Sequence, residues 1–328
     1  MTNVSLRRPI ILDVDTGIDD AWALVYAARS PRLDVLAVTT VFGNASLDTT
    51  TRNTLSMLDL IGVDIPVFRG AAQPLLRVWD GPVAAYHGHN GMGEAEMPEP
   101  RSQTQTLDAA EYIVQTVRQR PHEVTLVTVA RLTNIARALL YDPDIAALIP
   151  RIIMMGGAAF CPGNVTAVAE ANIWGDPEAA DFVFHSGVPI TMVGLDVTMQ
   201  ARLSRRHLAL LNPHLAYSRV LSQATEFYIA AYERDTPDLH DWCPVHDALA
   251  VAAAEDPTLI ATRRYPVRVE CRGQYTDGMT VVDARSGETT DGADVAVHVE
   301  ASRFLEVFYQ RVGIETATTQ GHRSLGPV

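Results

Sequence analysis

No lysine occurs among the 328 residues; all 26 basic residues are arginines. A Schiff-base or amine-nucleophile mechanism is therefore excluded for any internal side chain. Cysteine is scarce too. Cys161, Cys243 and Cys271 are an odd number at wide spacing, without a Cys-x-x-Cys pair. That argues against a disulfide framework or a thiolate zinc site and points to a reducing, cytoplasmic setting. No basic cluster stands against the net charge of −13, so nucleic acid is not an expected partner. No apolar run is long enough to span a bilayer, and Met1 to Arg8 lacks the apolar centre of a signal peptide. No internal repeat or linker is visible. What remains is an ordinary globular composition, 47% hydrophobic and 20% charged.

One segment departs from that background. Ile10-Ile11-Leu12 is followed by Asp13, Asp15, Asp19 and Asp20, and then by Ala21-Trp22-Ala23-Leu24. The apolar run reads as a buried strand and the later residues as the first turn of a helix. Four carboxylates thus crowd a strand-to-helix turn with no Lys or Arg among them, at the kind of strand end where open α/β sheets place ligands. Hard oxygen donors suit Ca²⁺ or Mg²⁺. Helix capping explains Asp19 or Asp20 but not Asp13 and Asp15 as well. An EF-hand requires Glu at its twelfth position, which counted from Asp13 is Leu24. A Mg²⁺-dependent phosphohydrolase of the haloacid-dehalogenase type, with Asp13 as nucleophile, usually places Thr where this chain has Gly17. A divalent metal site accounts for all four acids.

Beyond this turn, apolar strands alternate with helical patterns. Strands are expected at Leu33 to Val41, Ile65 to Phe68, Val124 to Val129, Arg151 to Met155 and Ile190 to Val193. Helices are expected near Asp48 to Ile61, Leu107 to Arg118, Leu132 onward, Ser204 to Glu233, from His246, and Ala301 to Val312. Further β-like segments are Tyr265 to Glu270, Met279 to Asp283 and Val295 to Val299. Strands that are apolar throughout imply an open α/β fold, a mainly parallel sheet with helices on both faces. One domain is expected over residues 1–314, with a polar tail, 315–328, expected to be disordered. Polar residues recur at the strand ends: Asn44, Asn164, Glu170, Asn172, His246 and Asp247. Asn, Asp and Glu grip hydroxyls well, so a sugar beside a divalent cation is the natural ligand. Taken alone, Asn164 could shape a turn, Glu170 could be a surface charge, and His246 could cap or pack.

The pattern as a whole resembles the nucleoside hydrolase family, the inosine–uridine-type ribohydrolases. Asp13 to Ala21 matches the hallmark Asp-x-Asp-Pro-Gly-x-Asp-Asp-Ala except for Thr16 in place of Pro. Further matches are Val41-Phe42-Gly43-Asn44, Leu132-Thr133-Asn134-Ile135-Ala136, Met155-Gly156-Gly157, Gly163-Asn164 with Ala169-Glu170-Ala171-Asn172, Asp176 to Ala180, Gly194 to Thr198, and His246-Asp247.

The resemblance implies Ca²⁺-dependent hydrolysis of the N-glycosidic bond of ribonucleosides. Asp15, Asp20, Asp247 and the main-chain carbonyl of Val129 would ligate the ion. Asp19, Asn44, Asn164, Glu170, Asn172 and Asp247 would hold the ribose. Asp15 would act as base and His246 as general acid, His87 would contact the nucleobase, and Asp13 would support the metal loop. It also implies a homodimer or homotetramer. Tyr228 and Tyr232, four apart on one helix face, wall the base pocket or simply pack; His89 reads as an exposed loop residue. Three departures stand out: Thr16, Ala130-Arg131 in place of Gly-Pro, and Ala171 where an aromatic wall near the ribose 5′ end is usual. A non-catalytic nucleoside- or sugar-binding protein is the alternative from another functional class.

Overall fold

The computed structural model describes residues 7–236, 238, 240–285 and 292–316. The first half of the chain runs β1 (Arg8–Val14), α1 (Ile18–Arg29), β2 (Leu33–Thr40), α2 (Leu47–Ile61), β3 (Val67–Arg69), α3 (Ala84–His87), α4 (Ala109–Gln119), β4 (Thr125–Thr128), α5 (Thr133–Tyr141) and β5 (Ile152–Met155). It continues through α6 (Ala171–Gly175), α7 (Pro177–Phe184), β6 (Ile190–Val193), α8 (Leu195–Thr198), β7 (Arg202–Ser204), α9 (Arg205–Leu208) and α10 (Ser218–Asp235). The last part is β8 (Trp242–Pro244), α11 (His246–Glu255), β9 (Ile260–Tyr265), β10 (Val267–Val269), β11 (Thr280–Val282), β12 (Ala293–Val299) and α12 (Ala301–Val312).

Eight strands form one sheet in the order β3-β2-β1-β4-β5-β6-β12-β9. All neighbours are parallel except β12 and β9, so the expected open, mainly parallel sheet is present with one antiparallel edge. Alternation within β1 shows why helices cover both faces. Ile10, Leu12 and Val14 enter the core layer that contains Trp22 of α1, Leu249 of α11 and Phe308 of α12. Ile11 enters the opposite layer with Ile113 of α4, Ile135 of α5 and Val183 of α7. A strand buried on both faces loses the apolar–polar alternation of a half-exposed strand and reads as continuous apolar sequence.

Three readings of the sequence change. The helix expected from Ser204 to Glu233 is two helices, α9 and α10, separated by a turn through Asn212-Pro213. Proline lacks an amide hydrogen and pushes its predecessor out of helical conformation. Similarly, the segment from Tyr265 to Glu270 is split at Pro266 between β9 and β10. The pairing of β7 with β8 was not anticipated, because three-residue strands are too short to display a period. The Glu315 amide donates to the Leu210 carbonyl (2.9 Å), and residues 317–328 of the expected tail lie outside the described residues. No helix among the described residues is long and apolar enough to cross a membrane.

The chain leaves β1 toward β2 on one side and returns to pair with β4 on the other. Strand order therefore reverses at β1, and the crevice above the carboxyl ends of β1 and β4 is where such a sheet accepts a ligand.

Candidate active site

The acidic turn occupies that crevice. Asp13 is the last but one residue of β1, in register with Thr39 of β2 and Thr128 of β4. Opposed residues point to the same face, so the Thr39 hydroxyl donates to Asp13 Oδ1 (2.5 Å) and Thr128 approaches Oδ2 (3.4 Å). Asn134 of α5 adds a third donor at 2.8 Å. Burial pushes the Asp13 carboxyl up to about 7, against these hydrogen bonds. Asp13 is thus a tie between elements, below the crevice rather than in it.

Beyond the strand, the backbone folds around Asp20. Its Oδ1 accepts from the Asp15 amide (3.1 Å) and its Oδ2 from the Gly17 amide (2.9 Å), closing the start of α1. Capping is therefore a real function of Asp20, as composition allowed. Asn44, at the end of β2, donates its backbone amide to Asp15 Oδ2 (2.8 Å) and its side-chain amide to Asp20 Oδ2 (3.1 Å). Oδ1 of Asp15 and Oδ1 of Asp19 are buried with no hydrogen-bond partner. Ligand atoms of Asp19, Asp20 and Asp247 lie within 4.8 Å of one another. Burial is the leading cause that raises all of Asp15, Asp19, Asp20, Asp247 and Glu170, Asp19 to about 7.

Facing these acids is one buried cation. Arg131 follows β4, is 4% exposed, and its Nη1 pairs with Asp15 Oδ2 while lying 3.5 Å from Asn44 Oδ1 and from Asn172 Oδ1. Counting Asp13, six buried carboxylates meet one guanidinium. Isolated buried charges are costly, so this set either binds protons or holds a further cation. Two orphaned carboxylate oxygens and an all-oxygen donor set fit a hard divalent metal.

The remaining residues expected at the site divide into two groups. Glu170 caps α6, accepting from Asn172 (2.9 Å) and Ile173 (3.2 Å), and also from the Gly157 amide (2.8 Å). Three of roughly four acceptor positions on that carboxylate are thus taken by backbone. Asn172 donates to the carbonyls of Val129 (3.0 Å) and Met155 (3.1 Å), fastening the ends of β4 and β5 together. Asn164 is exposed at the rim, its Oδ1 accepting from Ala171 (3.0 Å). All three nonetheless border a small cavity of about 50 Å³, with Asp19, Asn44, His87, Val129, His246 and Asp247.

Two histidines close the other side. His87 Nδ1 accepts from the Ile18 amide (3.2 Å), which leaves its proton on Nε2. His246 lies between the hydroxyls of Thr198 (Nδ1, 2.7 Å) and Tyr232 (Nε2, 2.8 Å). Burial lowers both imidazoles to about 3, so His246 rests neutral rather than titrating near neutrality as its residue type implied. Tyr228 packs on His87 at 5.3 Å between ring centroids, and its hydroxyl reaches Asp19 Oδ2 (3.4 Å). Thr198 and Arg131 are the residues that sequence reasoning left without a role, and Tyr232 was read only as a pocket wall or a packing residue. Arg131 alone carried a signal, a charged side chain two positions beyond a strand end.

A family model described as inosine-uridine preferring nucleoside hydrolase matches residues 10–306. The chain belongs to that family. A pyrimidine-specific ribonucleoside hydrolase of Citrobacter koseri is 40% identical over 315 residues, 94% of this chain and 98% of the relative. A purine-preferring ribonucleoside hydrolase from Gardnerella vaginalis superposes with a TM-score of 0.87 at 37% identity, covering 93% of this chain and 98% of that one. A plant nucleoside hydrolase gives 0.88 at 34% identity, covering 94% and 99%. As a nucleoside hydrolase, the protein is an enzyme that cleaves the N-glycosidic bond of ribonucleosides. The family is metal-dependent, and the buried cluster of Asp19, Asp20 and Asp247 could hold a metal ion. Phosphohydrolase chemistry through Asp13 is overturned by this membership and by the three hydrogen bonds that hold Asp13 beneath the crevice.

Proposed function

We propose that this nucleoside hydrolase is Ca²⁺-dependent and prefers pyrimidine ribonucleosides, releasing free base and ribose. The observation that carries the reading is the convergence of buried, under-compensated carboxylates on one crevice beside a neutral histidine. Asp15, Asp20, Asp247 and the Val129 carbonyl would hold the ion. When bound, Ca²⁺ offsets the carboxylate charge and makes a neighbouring water more acidic.

Asp15, whose Oδ1 is buried and without a donor, would take the proton of the attacking water. Asp19 and Asp247 would grip the ribose hydroxyls directly, with Asn164 at the rim. Asn44, Asn172 and Glu170 contact the sugar with whatever capacity their internal bonds leave, and fix the positions of Asp15, Asp20 and the strand ends. The carboxylates favour positive charge developing at the anomeric carbon. On the base side, His87 Nε2–H is a donor to the nucleobase. His246 with Tyr232 and Thr198 forms a hydrogen-bonded chain that protonates the leaving base, the ring receiving a proton as it gives one.

The pyrimidine preference rests on the names of the relatives near 40% identity. The free thiols of Cys161, Cys243 and Cys271 suit the cytoplasm, and a homodimer or homotetramer is the expected assembly.

The test is base and ribose release from uridine, cytidine, inosine, adenosine and their 2′-deoxy forms, before and after exhaustive chelation. Uridine should be cleaved fastest, activity should vanish with the metal and return with Ca²⁺, and 2′-deoxyuridine should lose about a thousandfold in kcat/KM or more. Faster cleavage of inosine would remove the pyrimidine preference. Comparable turnover of 2′-deoxyuridine would remove the proposed grip on the diol.

A further inference from the structure

A second cavity, about 410 Å³ against about 50 Å³ for the acidic crevice, adjoins the site and has no part in the chemistry described above. Ala171, at the start of α6, borders both spaces, and Arg131 of the chamber wall reaches Asn44 and Asn172 on the crevice side. The chamber is walled by Trp79 and Trp174 and by Val78, Val83 and Val165. Two of its apolar lining residues are also exposed, Val78 (83%) and Val165 (42%). Apolar surface gathered at one mouth marks a binding surface.

Its charges are largely spoken for. Arg77 pairs with Glu178 and Asp277, Arg131 pairs with Asp15, and Asp80 adds a negative charge. An anionic group would find no uncommitted arginine there.

Position then relates the chamber to the substrate. No residue of α10 or α11, which carry Tyr228, Tyr232 and His246, borders it. With the diol edge of ribose on the carboxylates and the anomeric carbon toward His246, the C4′ arm leaves on the remaining side, past Asn164 and Ala171. We propose that the chamber beyond Ala171 is a subsite for an uncharged, flat apolar group carried on the 5′ oxygen of the ribose, which makes 5′-O-substituted ribonucleosides substrates. This rests on the ribonucleoside-hydrolase reading. Water adds to the anomeric carbon and the N-glycosidic bond breaks as for the parent nucleoside. The 5′ ether is untouched, and the products are the free base and a 5-O-substituted ribose.

The probes are uridine, 5′-O-benzyluridine and uridine 5′-phosphate as substrates, with ribose and 5-O-benzylribose as calorimetric ligands. The metal-loaded protein should cleave the benzyl ether within about tenfold of uridine, leave the phosphate far behind, and bind benzylribose about tenfold more tightly than ribose. Ala171→Phe and Trp79→Ala should each lower the benzyluridine-to-uridine ratio of kcat/KM and the benzylribose-to-ribose affinity ratio by about fivefold or more. Both are ratios within one variant, so a general loss of activity does not imitate them. Cleavage of uridine but not of benzyluridine would overturn the subsite, as would ratios that neither substitution moves, or preference for the phosphate. If no nucleoside is cleaved while benzylribose still binds better in a Trp79-dependent way, the subsite stands and the hydrolase reading falls.

Discussion

At the scale of single residues, the site is set by what each buried group can exchange. His246 is held neutral between two hydroxyls, and the role proposed for it is to pass a proton to the leaving base. His246→Ala should lower kcat on uridine by about a thousandfold. Nitrophenyl riboside, whose leaving group needs no proton, should be cleaved at nearly the original rate; equal losses on both substrates would remove the acid role. Gly43 is fixed by space and by a backbone φ of +158°, since a Cβ there would also collide with the Asp15 carboxylate and the Arg131 guanidinium. Gly43→Ala should therefore abolish Ca²⁺ binding and turnover together, while Gly62→Ala, strained at φ +80° beyond the end of α2 but with a Cβ that meets nothing, should lower stability and retain both. The acids of this site were legible in the sequence because a metal demands several carboxylates in a short stretch. Arg131 with Asp15, and Tyr232 with His246, were not. Those pairs are made by long-range folding, 116 and 14 positions apart, and leave no local period to read.

Between elements, Asn134 carries an unusual share of the order. From α5 it donates to Asp13 on β1 (2.8 Å) and to the Thr40 carbonyl on β2 (3.0 Å), and its Oδ1 accepts from the Ala71 amide (2.9 Å). Asn134→Ala would leave the Ala71 amide without its partner and take one bond each from Asp13, which keeps Thr39, and from the Thr40 carbonyl, which keeps the Gly70 amide, so unfolding should become easier by about 3 kcal/mol and Tm should fall by about 5 °C. An unchanged Tm would mean that water replaces the amide fully. The central parallel strands were readable because burial on both faces makes them almost continuously apolar, as in Ile152–Met155, with Thr191 the one polar residue of Ile190–Val193. The breaks at Pro213 and Pro266 lay in plain view, yet the apolar pattern on either side outweighed them. The antiparallel placing of β9 could not be read at all, because strand direction depends on the path of the chain and not on composition.

For the whole molecule, the excess of buried acid links stability to pH and to metal. Asp13 and Asp19 bind protons up to about 7 in the metal-free fold, against an ordinary carboxylate value of 3.8. Such groups favour the folded state at low pH and withdraw that support as pH rises through about 7. His87 and His246 act in the opposite sense, but unfolded they are only half protonated at their ordinary value of 6.5 and lose the rest within about one further unit, so above 6.5 the acids outweigh them. From about pH 6.5 to about pH 8, then, Tm in chelator should fall, and the gain in Tm on adding Ca²⁺ should grow. A gain that shrinks over that range would contradict the account.

The order of the strands also has a consequence in time. Asp19 and Asp20 stand near the beginning of the chain, whereas Asp247, which completes their cluster, comes 227 residues after Asp20 (247 − 20). A ribosome takes about 10–45 s to add that many residues. Throughout that interval the emerging acidic turn lacks its last carboxylate, so the nascent chain carries an open, weak site. Strong capture of a cation is thus deferred until three quarters of the polypeptide has been made, and it coincides with the arrival of α11 against α1.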